Sequence, residues 1–360
     1  MNIAFYISND LSAGGAERVV VNLANRFSDD GYNVTVITPT KAEGEFPLSL
    51  SVNRELIEEN VRGINRIEKS YKRLKYLRFL LKKNKIQVLF AFLDGAVNYS
   101  VLATRFSNVK VIVSERNDPR QYFKTFFQKF WIRSIYDLAD AAVFQTPDAK
   151  SWFNKSIQNR SKIIYNPVRD EFYNKERTPV SNRIVTCGRY EPQKNHLMLI
   201  EAMEIAVKTH PELKLSIYGA GALGKHLNEC IIEKGLCQNV FIEGNALDVP
   251  EVLKNAELFV LSSDFEGAPN ALMEAMAMGI PSISTDCPCG GPKMFFRNNE
   301  NGLLVPVGDS TAMADAICKL HENKQLQKIY SEKGKVFAES FRMDNIFGEW
   351  KSIIQLALKK

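Results

Sequence analysis

The sequence lacks any apolar run near the ~20 residues that a membrane-spanning helix needs, so no transmembrane segment is expected. The opening stretch, Met1-Asn2-Ile3-Ala4-Phe5-Tyr6-Ile7-Ser8, has no basic leader and breaks off into Asn9-Asp10. It reads as a first strand, not a signal peptide. Cysteine is missing from the first half. The six cysteines, Cys187, Cys230, Cys237, Cys287, Cys289 and Cys318, show no paired zinc-site spacing. The single residue between Cys287 and Cys289 suits neither a disulfide nor two tetrahedral ligands. Reduced thiols in a cytoplasmic protein are therefore expected. Histidine is scarcer still, and all four (His196, His210, His226, His321) lie in the second half. There is no visible repeat and no low-complexity tract.

What is present is the composition of an ordinary folded protein, 45% hydrophobic and 24% charged. At 360 residues the chain exceeds what one core usually supports, so two domains are expected. The net charge of +6 is uneven: residues 1–170 carry 26 Lys and Arg against 17 Asp and Glu, and the remainder 21 against 24. A basic half implies an anionic partner, whether nucleic acid, lipid head groups or a diphosphate-linked substrate.

Strand-like runs at Ile3–Ile7, Val34–Ile37, Val88–Phe92, Val109–Val113 and Ala141–Phe144 alternate with helical stretches. Among these, Gly15–Ser28 places Val19, Val20, Leu23 and Phe27 on one face. After Asn166-Pro167 the pattern pauses through a polar segment with Pro179. It then restarts with Ile184–Thr186, Leu213–Tyr218, Val240–Ile242, Leu258–Leu261 and Pro281–Ser284. The reading is α/β: a domain over 1–168, a linker over 169–181, a second domain over 182–343, and a helix over 344–360 packing back on the first domain. Ligands of parallel sheets bind beyond the carboxyl ends of the strands, so loops from two facing domains would share a cleft.

The most informative segment runs from Ser262 to Pro281 (SSDFEGAPNALMEAMAMGIP). A strand enters a loop, and a helix begins near Gly267-Ala268-Pro269-Asn270, whose amides and dipole suit a diphosphate. Glu274, one to two turns in, is placed for a ribose diol, and Glu266 for a sugar on the distal phosphate. Alone, either would be a loop carboxylate or a solvated helical Glu; together, with Gly279-Ile280-Pro281 behind them, they point to a site. In Cys187-Gly188-Arg189-Tyr190-Glu191-Pro192-Gln193-Lys194-Asn195, Arg189 and Lys194 could clamp that diphosphate and stabilise a leaving group. Gly14-Gly15 lets a substrate approach the backbone, although tight strand–helix turns use glycine anyway. Glu17 reads as a first-turn Glu favoured by the helix dipole.

These motifs resemble those of the glycosyltransferases of family 4, with the GT-B fold of two Rossmann-like domains facing a central cleft. Glu266 and Glu274 match the family's Glu-x7-Glu, Ala275 to Pro281 its Ala-x-x-x-Gly-x-Pro, and Arg189 and Lys194 its Arg-x4-Lys. The likeness spans essentially the whole chain. It implies a retaining transfer of a hexose or N-acetylhexosamine from a nucleotide diphosphate sugar, most commonly UDP-linked. The acceptor would be a polyprenyl-diphosphate-linked or other saccharide in bacterial surface-glycan synthesis. Glu266, Arg189 and Lys194 would be catalytic, with Glu266 on the donor sugar and Glu274 on the ribose. Gly14, Gly15, Gly219, Asn245, Gly267, Ala268, Pro269 and Asn270 would line the donor site. Where many members place a His near the reaction centre, this chain has Arg116 or Asn117, so a histidine-dependent account does not carry over. Asp94, Asn98, Glu115 and Arg116 are acceptor-side candidates, although Glu115 and Asp118 also suit a turn before Pro119. No Asp-x-Asp triad stands in a suitable loop, and the resemblance implies neither metal nor cofactor.

Residues 62–85 hold ten Lys and Arg against Glu68, with Ile64, Ile67, Tyr71, Leu74, Leu77 and Leu81 at helical spacing. This is a basic amphipathic helix whose apolar stripe packs on a sheet and whose charged face attracts anionic lipid. Tyr122, Phe123, Phe126, Phe127, Phe130 and Trp131, with Lys124, Lys129 and Arg133, resemble an interfacial helix. The expectation is a cytoplasmic protein held peripherally at the inner membrane face. A nucleotide-sugar epimerase or a phosphorylase would share the architecture. A phosphorylase needs a cofactor lysine in a longer chain, and an epimerase needs acid/base groups for elimination. A non-catalytic nucleic-acid-binding module leaves Glu266 and Glu274 unexplained and matches no recognised motif, so no nucleic acid is expected.

Overall fold

The computed structural model describes residues 1–360 except Ala13, Arg62, Ile64, Leu247, Asn298 and Lys360. The chain divides into two compact units, Met1–Pro167 with Asp344–Lys360, and Val168–Met343.

The first unit is built on seven strands: β1 (Asn2–Ile7), β2 (Asn33–Thr38), β3 (Asn53–Leu56), β4 (Val88–Phe92), β5 (Lys110–Ser114), β6 (Ala141–Phe144) and β7 (Ser161–Ile163). All pair in parallel in the order β3-β2-β1-β4-β5-β6-β7. The central strands read as unbroken apolar runs because helices cover both faces, leaving Ile3–Ile7 and Val88–Phe92 buried throughout. Helix Gly15–Asp29 inserts Val19, Val20, Leu23 and Phe27 into one face. Helix Met343–Leu358 closes the same face: Trp350 stacks on Phe92 at 5.7 Å between centroids, and Phe347 meets Phe27 edge-on at 4.6 Å.

The second unit carries β8 (Arg183–Cys187), β9 (Lys214–Tyr218), β10 (Val240–Gly244), β11 (Leu258–Leu261), β12 (Ser282–Thr285) and β13 (Leu303–Val305). They too are all parallel, in the order β10-β9-β8-β11-β12-β13. The expected α/β fold of two Rossmann-like sheets is borne out. In each sheet the strand order reverses once, between β1 and β4 and between β8 and β11. Loops diverge at such a reversal and leave a crevice above the strand ends.

Three strands escape the sequence pattern: β3, β7 and β13. All lie at sheet edges, where one side is solvated and no buried apolar run is required. The helix expected from Gly267 begins at Asn270, with Pro269 as its N-cap. Residues 169–181 hold a short helix, Asp170–Asn174, with Phe172 buried. Tyr173 donates its hydroxyl to the Ala338 carbonyl at 2.8 Å, and Arg177 donates to the carbonyls of Gly279 and Ala256 at 2.5 and 2.7 Å. The polarity of this stretch thus serves attachment to the second unit.

The basic helix runs Arg66–Lys83; Arg62 and Ile64 lie outside the described residues. Of the expected stripe, Leu77 and Leu81 are buried, with Leu80 beside them, and Leu74 is partly buried, whereas Ile67 is 84% and Tyr71 66% exposed, so only the carboxyl-terminal part of the stripe packs as expected. Its charge is also partly neutralised from outside the segment. Lys69 and Arg73 pair with Glu58 and Lys83 with Glu55, in addition to Lys72 with Glu68. Among the described residues no helix is long and apolar enough to cross a membrane.

Candidate functional site

In the second unit the loops after β8 and β11 meet at the strand-order reversal and are laced together. The Asp264 amide donates to the Gln193 carbonyl at 2.8 Å and the Gln193 side chain to the Phe265 carbonyl at 2.8 Å. Asn195 donates to the Asp264 carboxylate at 2.7 Å, and Ser262 donates to the Lys194 carbonyl at 2.8 Å. This scaffold brings two predicted site residues together. Nζ of Lys194 donates to Oε1 of Glu266 at 2.5 Å, and Ser263 donates to the same oxygen at 2.7 Å. The Glu266 backbone is tied on both sides to the Pro288–Cys289 turn. Arg189 is not drawn in: its side chain is 65% exposed and pairs with Glu191 at 3.1 Å.

Gly267, Ala268 and Pro269 are buried just before the helix, and Gly291 packs so close to the Gly267 carbonyl that a Cβ there would lie 1.7 Å away. Glu274, in the second turn, is buried, and its charge adds to burial in pushing the Cys187 thiol up to about 12. Cys187 ends β8, so Glu274 faces the loop that carries Lys194. Gly219 follows β9, and a Cβ there would sit 2.0 Å from the Gly188 carbonyl, so glycine alone lets the two loops approach. Asn245 follows β10 and is exposed. Under these loops, burial drives the His196 imidazole down to about 4, keeping it neutral.

The first unit gathers its own polar group at the carboxyl ends of β4 and β5. Oε1 of Glu115 accepts from the backbone amides of Arg116 and Asn117 at 2.9 and 3.0 Å, and Oε2 from the Tyr136 hydroxyl at 3.3 Å. Burial, and next the Asp94 charge, raise the Glu115 carboxyl well above its ordinary range; burial raises Asp94 too. Arg116 donates to Asn166 at 2.9 Å and lies over the Phe92 and Trp350 rings at 4.9 and 5.4 Å. Burial lowers its guanidinium to about 9. Asn98 is engaged by the scaffold, donating to the Asp94 carbonyl and accepting from Trp131, both at 2.8 Å. Gly14 (φ 106°) is the N-cap and Gly15 the first residue of the helix that follows β1, beside the sheet's reversal. A Cβ on Gly14 would lie 2.2 Å from a Glu17 carboxylate oxygen. Glu17 is buried there and accepts from Asn9 at 2.8 Å, more than the dipole role its position suggested.

Sequence reasoning passed over Ser263, Tyr136 and Asn166. Ser263 lay within the quoted motif and carried a signal by position. Asn166 was read only as a boundary, and Tyr136 was not singled out at all.

Residues 13–172 match the family model described as Glycosyltransferase Family 4, and residues 168–337 the one described as Glycosyl transferases group 1. An uncharacterized glycosyltransferase of Haemophilus influenzae is 27% identical, with 98% of this chain and 99% of that protein covered. A Campylobacter jejuni protein is likewise 27% identical over 98% of both chains. It is named as the N-acetyl-D-galactosaminyltransferase that acts on GalNAc-alpha-(1->4)-GalNAc-alpha-(1->3)-diNAcBac-PP-undecaprenol. Among solved structures, Anabaena Alr3699/HepE in complex with UDP superimposes with a TM-score of 0.82 at 17% identity, covering 99% of this chain and all of that one. The two family matches tile the chain across both Rossmann-like units, and the chain belongs to the glycosyltransferases of family 4, enzymes of the GT-B fold.

Proposed function

We propose that this enzyme transfers a hexose or N-acetylhexosamine, with retention, from a UDP-sugar to a lipid-linked saccharide. The contact between Lys194 and Glu266 carries the reading. A cation and a carboxylate sit side by side at the strand-order reversal, next to a helix start suited to a diphosphate. Lys194 stabilises charge on the departing diphosphate, and Glu266, oriented by Lys194 and Ser263, holds the donor sugar. Glu274 takes the ribose diol, and Arg189 swings from Glu191 onto the phosphates when donor is bound. The acceptor hydroxyl attacks the face from which the nucleotide leaves. Asp94, Glu115 and Arg116 serve the acceptor side.

The donor class is supported by the UDP in the Anabaena structure, and the acceptor class by the undecaprenyl-diphosphate saccharide in the Campylobacter relative's name. Membrane attachment rests on the first unit. Phe126, Phe127 and Phe130 are 86%, 71% and 63% exposed on one helix, beside Lys124 and Lys129. Calorimetry with a panel of nucleotide sugars, followed by assay of slow donor hydrolysis, tests the proposal. Binding and hydrolysis of one UDP-sugar are expected; a chain that binds none of the panel is not acting on such donors.

A further inference from the structure

Two of the four histidines meet at the amino-terminal edge of the second sheet. His210 and Glu212 precede β9, Glu257 precedes β11, and His321 and Glu322 end the helix Ser310–Glu322. The Lys194–Glu266 loops lie at the opposite ends of these strands. A strand of five residues separates the two edges by roughly 16 Å.

One oxygen of Glu212 lies 3.3 Å from Nδ1 of His210 and 3.5 Å from Nε2 of His321. Zinc bonded tetrahedrally at about 2.0–2.1 Å sets its ligand atoms about 3.3 Å apart. Two edges of the triangle already have that length, and the donor atoms of all three residues lie within 4.8 Å of one another.

The independent observation is what stands behind each ring. Nε2 of His210 lies 2.9 Å from Oε1 of Glu322, and Nδ1 of His321 lies 3.3 Å from Oε2 of Glu257. Metal-bound histidines usually give their second N–H to a carboxylate, which fixes the tautomer and aims the free lone pair at the metal. Here each ring has a carboxylate behind it, and both turn their other nitrogen to the same Glu212 oxygen. Nδ1 of His321 is buried without an aligned hydrogen bond, so the ring is only part-way to the orientation that a metal would impose. Glu257 is itself steadied by Lys324, Gln327 and the Asn182 amide. Glu212 is exposed, which leaves a route from solvent.

We propose that His210, Glu212 and His321 form a Zn²⁺ site, with Glu322 and Glu257 as the carboxylates that orient the two imidazoles. Two imidazoles and one carboxylate are a donor set that zinc takes, with the fourth position left to water. Bound metal would pin the end of helix Ser310–Glu322 to the start of β9, a role apart from turnover.

The test uses the untagged full chain, stripped with chelator, with Cys237→Ser throughout so that the exposed thiol does not compete. Calorimetry with Zn²⁺ should show one equivalent bound, Co²⁺ should give the visible absorption of a tetrahedral site, and Zn²⁺ should raise Tm. His210→Ala should weaken Zn²⁺ at least tenfold, and Glu322→Gln, on an exposed side chain, by about tenfold. His226→Ala, an exposed histidine elsewhere in the unit, should change nothing. His321→Ala removes a buried ring, so His210→Ala and Glu322→Gln carry the test if it does not fold. Absence of zinc binding, or His210→Ala binding as tightly as its parent, would reduce the cluster to ordinary ion pairs and overturn the proposal.

Discussion

Nζ of Lys194 and Oε1 of Glu266 are 2.5 Å apart, with side chains only 17% and 9% exposed, on loops from strands that neighbour each other at the sheet's reversal. Removing one member of a buried pair strands the other charge, at a cost of about 3–5 kcal/mol. Lys194→Met should therefore lower both Tm and turnover. The double variant Lys194→Met/Glu266→Gln should recover most of the Tm and none of the turnover. Thermal unfolding with steady-state assay of all three proteins checks this; recovery of turnover in the double variant would make the pair merely structural.

The two carboxylates of the motif should divide their labour. Glu274, in the helix, should bear on the nucleotide, and Glu266, in the loop before it, on the sugar. Glu274→Ala should weaken UDP and UDP-sugar alike, by about tenfold or more for a lost charged hydrogen bond. Glu266→Ala should spare UDP and weaken UDP-sugar. Calorimetry with both ligands reads the difference, and equal losses for the two ligands in both variants would remove the distinction.

Turnover should persist in excess chelator if, as proposed, Lys194, Arg189 and the helix start supply the charge that a metal would otherwise supply. Chelator should lower only the Tm if zinc bridges His210 and His321. Activity lost in chelator and restored by Mg²⁺ or Mn²⁺ would show that the diphosphate is handled differently.

The raised carboxyls of Glu115 and Asp94 make a signed prediction about pH. The folded protein keeps protons there that the unfolded chain releases above the ordinary carboxylate range. Their contribution to stability is thus complete at acid pH and is lost as pH rises toward neutrality and beyond. His196, driven down to about 4, acts in the opposite sense, its stability falling away as pH drops from the ordinary imidazole range. Glu115→Gln keeps the acceptor for the Arg116 and Asn117 amides and should flatten the alkaline decline while leaving the acid limb alone. Tm across a pH series decides it; parallel curves for the two proteins would mean that Glu115 is ionised.

The central strands were legible because burial on both faces demands apolar runs such as Ile3–Ile7 and Leu258–Leu261, whereas the edge strand Asn53–Leu56 meets no such demand. The loop motifs were legible as residue types at fixed spacing, so Glu266 and Lys194 could each be named. Their contact could not, since it depends on β8 and β11 being neighbours, a property of topology. The same holds for His210 and His321, which pattern reading left without a role. Charge was misjudged for a related reason: Glu55 and Glu58 neutralise the basic helix from outside its own segment.

That correction sharpens the expectation of membrane attachment. Helix Asp94–Thr104 presents Ala96 and Ala103 to the core shared with the basic helix, and Val97 and Val101 to the core shared with helix Phe126–Leu138. The basic and the aromatic segments therefore flank the helix that begins at Asp94. The paired Lys69, Lys72, Arg73 and Lys83 should add little, and Lys75, Lys82 and Lys85 are three of the exposed cations outside those pairs. Each that reaches an anionic bilayer is worth about 1 kcal/mol, and that attraction should fade with salt. Insertion of Phe126, Phe127 and Phe130 would add a salt-resistant part. Charge reversal at Lys75, Lys82 and Lys85 should release the protein from anionic vesicles at low salt, and Phe126→Ser/Phe127→Ser should remove what persists at high salt. Neither set should alter UDP affinity, because Lys194, Glu266 and Glu274 lie in the other unit. Co-sedimentation across a salt series, with neutral vesicles as control, separates the two contributions. A wild-type protein that stays in the supernatant with anionic vesicles at low salt would point to a soluble acceptor, with the exposed phenylalanines serving a protein partner.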